Sequence, residues 1–130
     1  MISAMYASLG ALLIIGLSLN VIKQRRANKV SIGDGDCQVL KIAMAAQSNA
    51  VEYIPIALIL LFALEYNQAN IMLVHMFGVA LIISRLIHAI AISNENLKYR
   101  VLAMQITIFI IIGLAISNFI YLPIDALFKF

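Results

Sequence analysis

Charge is scarce in this chain. Nine Lys or Arg and six Asp or Glu make up 12% of its 130 residues, about half the share of an average soluble domain. A single cysteine, Cys37, excludes an intrachain disulfide. Two histidines, His75 and His88, beside that one cysteine give poor support to a dedicated metal site. No nucleophile triad can be assembled from these residues. Internal repeats, low-complexity tracts and GxxxG pairs are also missing, so Gly10, Gly16, Gly78 and Gly113 leave contacts between copies unassigned. The stretch from Met1 to Leu19 lacks the basic start of a signal peptide. It is expected to be retained as the first apolar segment.

What is present is apolar. Hydrophobic residues make up 64% of the chain, and the mean hydropathy is +1.02. Such a composition belongs in a membrane. Apolar stretches at Ile2–Val21, Gln38–Leu64, Ile71–Ile92 and Leu102–Leu122 each approach or exceed the ~20 residues that cross ~30 Å of hydrocarbon. The expected fold is therefore all-α: an integral membrane four-helix bundle forming one domain over residues 1–130, with an amphipathic tail ending in Phe130. Span two, about 27 residues or roughly 40 Å long, should project from the bilayer at its start. Pro55 within it predicts a kink just after Glu52.

The connections differ in sign. The first holds Lys23, Arg25, Arg26, Lys29 and Lys41 against Asp34 and Asp36. The second, Glu65 to Asn70, has no Lys or Arg, and the third has Lys98 and Arg100 against Glu95. The positive-inside rule then puts loops one and three in the cytoplasm and both termini outside. A net charge of +3, concentrated in one loop, argues for membrane orientation and against a nucleic-acid partner. Gly33-Asp34-Gly35-Asp36 reads as a turn with Asp36 as N-cap of span two. It lacks the other ligands of a calcium loop.

Polar residues inside the apolar spans carry the functional signal, because ionisable groups are expensive in lipid. Asn49 and Glu52 are three apart and Asn49 and Tyr53 four apart, on one helix face with Ala45 and Ile56. Arg85 and His88 are three apart near the end of span three. With Arg100, Arg25 and Arg26 they are expected at one depth, forming an electropositive cleft suited to a small anion with one amine. Structural readings stand beside this one. Glu52 and Arg85 can be an ion pair between spans two and three. Asn49 can be interhelical glue, and Arg25, Arg26 and Lys29 can be topology signals or lipid headgroup contacts.

At these residues the chain resembles the MAPEG family, the membrane-associated proteins in eicosanoid and glutathione metabolism. That family includes microsomal glutathione transferases, leukotriene C synthase and a bacterial inner-membrane branch. The likeness covers nearly the whole chain. Its specific part is Arg-Ala-Gln/His-x-Asn-x-x-Glu-Tyr-x-Pro, matched by Ala46, Gln47, Asn49, Glu52, Tyr53 and Pro55. Arg25-Arg26-Ala27 and Val30-Ser31 match the first loop. Val30 to Gly35 and Arg85-Leu86-Ile87-His88-Ala89 look like the bacterial branch.

The resemblance implies a homotrimer in the inner membrane, with glutathione as co-substrate at the subunit interfaces and no metal. It implies that Asn49, Glu52 and Tyr53 hold glutathione, with Glu52 on its α-amino group, and that Arg25 and Gln47 come from the neighbouring subunit. His88 stands where a glutathione-contacting Tyr stands in the synthase, and Arg85 matches a span-three arginine of several members. Arg100, with Arg26, is the match to the arginines at the sulfur. The implied activity is a transferase or peroxidase in which the glutathione thiolate attacks a lipophilic molecule arriving from the bilayer between spans one and four. Two positions depart from the pattern: the leading Arg is Ala45, with Lys41 one turn earlier, and a second span-three Tyr is Ile92. A non-catalytic binder of lipid or another ligand on the same fold is the competing reading. A small transporter is disfavoured, because span one carries no charge.

Overall fold

Four long helices carry the chain in a computed structural model that describes residues 1–129. They are α1 (Ser3–Asn28), α2 (Gln38–Tyr66), α3 (Ile71–Ser93) and α4 (Leu97–Tyr121), followed by a short α5 (Ile124–Leu127). No strand occurs among the described residues. All four long helices have the length and apolarity to cross a membrane. The protein is an integral membrane four-helix bundle. Residue Phe130, the end of the expected amphipathic tail, lies outside the described residues.

The bundle is centred on α2 and α3. Helix α2 packs on α1, α3 and α4, and α3 also packs on α1 and α4, whereas α1 and α4 do not touch. The inward residues of α2 are Leu40, Ala43, Ala46, Ala50, Ile54, Ala57, Leu61 and Leu64. They recur every three or four positions, the period of one helix face. Four of them are alanines, which let neighbouring backbones approach closely. The apolar core, including Tyr6, Leu61, Leu64, Val74, Leu81, Ile110 and Leu114, fills only the half of the bundle where α1 and α3 begin. The other half buries smaller apolar residues, among them Leu40, Ala43, Ala46, Ile92 and Ala103, together with the polar Arg85 and His88.

Two helices run further than the hydropathy predicts. Helix α1 continues past Val21 through the charged stretch to Asn28, and α4 begins at Leu97 instead of Leu102. Lys and Arg are good helix formers, and water accepts their charges once the helix leaves hydrocarbon. Asn96 caps α4, its side chain accepting from the Tyr99 N–H (3.3 Å). Asp36 is not the cap of α2. That position is Cys37, without a side-chain cap, because Asp36 sits at φ 56° and its carboxylate instead accepts from Lys41 Nζ (2.7 Å). Helix α2 runs unbroken through Pro55.

Helix ends are secured by two devices that hydropathy does not announce. The Glu65 carboxylate at the end of α2 accepts from the backbone N–H groups of Ile2 (2.5 Å) and Ser3 (2.7 Å), supplying partners to the open start of α1. The C-termini of α1, α2 and α3 each close in a Schellman motif. Their left-handed residues are Lys29, Gln68 and Glu95, at φ 55°, 58° and 54°. The closing bonds are Val30 N–H to Arg25 O, Ala69 N–H to Leu64 O and Asn96 N–H to Ala91 O. Glycine is the usual residue at that position.

Candidate functional site

Polar groups lie in two tiers toward the end of the bundle where α2 and α4 begin. Arg85 forms the inner one, eight residues or ~12 Å before the end of α3. It is 1% exposed, held between α2 and α4. One guanidinium nitrogen donates to the side-chain oxygen of Asn49 on α2. The other donates to the Thr107 hydroxyl on α4 (3.3 Å). Thr107 in turn donates to the Ala103 carbonyl (2.9 Å), and its oxygen lies 3.2 Å from the Ser84 hydroxyl. The guanidinium carbon sits 5.9 Å from the centre of the Tyr53 ring, in range for a cation–π contact. Neutral oxygens and a π face thus surround this buried cation, and no carboxylate pairs with it among the described residues.

Glu52 does not form the ion pair with Arg85 that the sequence allowed. Three residues along a helix turn the side chain by about 300°, or 60° short of a full circle. Asn49 lies at the edge of the buried stripe and reaches inward to Arg85, while Glu52 falls on the outer, exposed face of α2. Its neighbours on that face, Ala45, Ser48 and Ile56, are exposed as well. At the middle of α2 this leaves a carboxylate on the lipid-facing surface of one protomer, a costly position without a partner.

The remaining residues are spread wider than the expected single depth. His88, one turn beyond Arg85, is 2% exposed, and its Nδ1 has no partner among the described residues. Arg100, Arg25 and Arg26 lie at the rim, near the helix ends. Arg25 is committed to its own loop, donating to the Gly33 carbonyl (2.7 Å) and approaching Met44 Sδ (3.7 Å). Arg26 lines a cleft of about 360 Å³ with Lys29, Ser31 and Ile22 at the end of α1. Gln47 is half-buried on α2.

A larger rim cleft, about 390 Å³, opens where α2 and α4 begin and α3 ends. Arg100, Lys41 and Glu95 supply its charges. Ala45, Ile92 and Leu97 contribute apolar walls. The two positions that depart from the MAPEG pattern, Ala45 and Ile92, therefore face the same space as Arg100. Sequence reasoning missed Thr107, Ser84 and Glu95. Thr107 and Ser84 are unremarkable polar residues in apolar helices, and Glu95 reads as a loop charge. Among the described residues no three of His, Cys, Asp and Glu converge as metal ligands would.

The MAPEG family model matches residues 3–120 of the chain. The inner membrane protein YecN of Escherichia coli strain K12 is 35% identical over 129 residues, covering 99% of this chain and 98% of the relative. YecN from Escherichia coli O6:H1 matches at the same identity and coverage.

Proposed function

This chain belongs to the MAPEG family, and from that premise we propose that it is a glutathione-dependent transferase or peroxidase of the bacterial inner membrane. The observation that carries the reading is the outer face of α2. It sets Glu52 on the exposed surface, one turn from Asn49 and next to Tyr53, with no ion-pair partner among the described residues. A bilayer does not tolerate that carboxylate unless something polar covers it. A second copy of the chain would close the site, with its Arg25, Arg26 and Gln47 facing Glu52, in a homotrimer. The ligand's ammonium group would pair with Glu52. Loops one and three would face the cytoplasm, where glutathione would enter, and both termini would lie outside.

The chemistry asked of the protein is modest. A thiol with a pKa near ~8.5 is only a few per cent thiolate at neutral pH. A guanidinium beside the sulfur in a partly dry cleft favours the anion, and Arg100, exposed in the rim cleft with Arg26 at the end of α1, is the group proposed to do so. With an electrophilic carbon the thiolate forms a C–S bond as the leaving group departs or a π bond opens. With a hydroperoxide it attacks oxygen, the O–O bond breaks, and a second glutathione completes the disulfide, giving an alcohol and water. Arg85 and His88 lie deeper and would position Asn49 and Tyr53 without touching the reacting atoms.

The non-catalytic reading also rests on observations. Asn49 already gives its carbonyl oxygen to Arg85, and Ala45 offers the ligand nothing polar. Calorimetry with glutathione on the detergent-purified protein, read beside ultraviolet absorbance of the thiolate, separates the two. Binding with proton release that disappears in Glu52→Gln supports the enzyme. No binding at millimolar glutathione leaves a lipid or ligand binder on the same fold.

A further inference from the structure

We propose that Met104 is a site of reversible oxidation, at which the thioether takes an oxygen atom from an organic hydroperoxide and the sulfoxide formed is held by Asn49 and Arg85. The consequence for ligand binding rests on the glutathione reading above; the oxidation itself does not. Met104 lies on α4, seven residues or ~10 Å from its start, and is half-buried. Its Sδ stands 3.8 Å from Asn49 Nδ2 on α2 and 4.0 Å from a terminal nitrogen of Arg85 on α3. Both nitrogens are N–H donors.

The cluster around Arg85 is rich in donors and poor in acceptors. A guanidinium carries five N–H groups and an amide two. Among the described residues these meet one amide oxygen, one hydroxyl and the Met104 sulfur. Arg85 Nε is buried without a partner, and the acceptor for the Asn49 amide nitrogen is that sulfur. A thioether accepts weakly, whereas a sulfoxide oxygen is strongly polar. In an apolar core the new oxygen of an oxidised methionine disrupts packing; here two donors are in place to receive it. Met44 makes a similar contact with Arg25 (3.7 Å), but that guanidinium already donates to the Gly33 carbonyl.

The sulfur lone pair attacks the terminal oxygen of the hydroperoxide. The S–O bond forms as the O–O bond breaks, the proton passes to the departing alkoxide, and an alcohol leaves. Sulfur is oxidised and the peroxide reduced by the same electron pair. Arg85 and Asn49 stabilise the negative charge that gathers on oxygen in that transition state. At 3.8 and 4.0 Å their contacts with sulfur are loose, so the lone pair stays available. The sulfoxide then ties Asn49 Nδ2 inward, beside the Oδ1 already bonded to Arg85. Asn49 is left with nothing to offer a ligand on the outer face of α2. Hydroperoxide in excess of glutathione thereby switches the site off, and enzymatic reduction of the sulfoxide restores it.

Peptide mapping by mass spectrometry tests this, on the full chain in detergent treated with cumene hydroperoxide in the absence of glutathione. Sulfoxide should build up at Met104 before Met76, although Met76 is 64% exposed. Met76 oxidising as fast or faster would overturn the proposal, because the two donors would then contribute nothing. The oxidised wild type should melt no lower than the reduced protein. A fall in melting temperature that the volume-conserving Met104→Leu does not show would mean an oxygen expelled and not held, and would overturn it too. Glutathione calorimetry is the third readout. Oxidation should weaken binding at least about tenfold, the worth of one hydrogen bond, and methionine sulfoxide reductase should restore it. An equal loss in Met104→Leu would assign the effect to another residue and overturn the switch. Should the reduced wild type bind no glutathione, the enzyme reading fails, and the peptide map and the melts still decide the fate of Met104.

Discussion

Arg85 and Asn49 are bonded side chain to side chain across the α2–α3 interface, beyond the large apolar cluster around Leu61 and Leu81. The contact joins the most buried cation of the protein to the face of α2 proposed to hold ligand. Removing the guanidinium would leave Asn49, Thr107 and the Tyr53 ring without it.

Arg85→Ala should therefore destabilise the protein by about 1–3 kcal/mol, the range for a hydrogen-bonded buried charge tempered by the modest polar contacts measured in membranes. Arg85→Met keeps much of the stem and removes the buried charge, so it should melt closer to wild type. Both should weaken glutathione binding if Asn49 must be held in place. Thermal melts in detergent beside calorimetry would separate the two effects: equal losses of stability in both variants would assign the stability to the bonds of the guanidinium, and a loss confined to Arg85→Ala would assign it to packing of the stem.

Glu52→Leu should behave in the opposite way. Glu52 is exposed on α2 and has no ion pair among the described residues, so exchanging it for leucine removes a carboxylate from an apolar surface. The isolated protomer should melt at the same temperature or higher, while glutathione binding is lost. A large drop in melting temperature would instead show that Glu52 is a structural partner.

Gln68→Gly isolates backbone strain. Gln68 occupies the left-handed position after α2 at φ 58°, at the opposite end of the bundle from the rim cleft. Glycine there should stabilise by about 0.5–1 kcal/mol, the left-handed penalty less the extra entropy of glycine. Denaturation in mixed micelles would measure it, with ligand binding unchanged.

Gly78→Ala tests the closest helix approach. A Cβ on Gly78 would stand 2.4 Å from the Tyr6 ring, which is buried and whose hydroxyl lies 2.7 Å from His75 Nδ1. The substitution should destabilise by about 1–3 kcal/mol. In a Tyr6→Leu background the same change should be less damaging. A double-mutant cycle showing no coupling would mean that the ring is free to move aside.

Much of this architecture is legible in the chain itself. Runs of apolar residues long enough to span hydrocarbon can satisfy their backbone only as helices, so the four spans follow from composition and length. Their ends do not. The extension of α1 through Arg25 and Arg26 and the early start of α4 lie in polar stretches, where hydropathy falls silent while helix propensity persists. The left-handed Lys29, Gln68 and Glu95 are unreadable for a related reason, since glycine is the residue that advertises such a turn.

The sequence by itself determined the membrane class, the number of spans, the family pattern around Asn49, Glu52 and Tyr53, and the absence of a disulfide framework. Only the tertiary structure decided which of those polar groups meet. Asn49 and Glu52 look equivalent on one helix face, yet about 60° of rotation sends one into the bundle to Arg85 and the other to the surface. Lys41, Glu95 and Arg100 belong to separate helix ends in the chain and line a single cleft in the fold. Helical periodicity fixes directions within one element, but contacts between elements depend on how the helices rotate against each other. That rotation is set by the packed alanines of α2, Gly78 under Tyr6 and the Glu65 cap on α1 together, and by no local stretch alone.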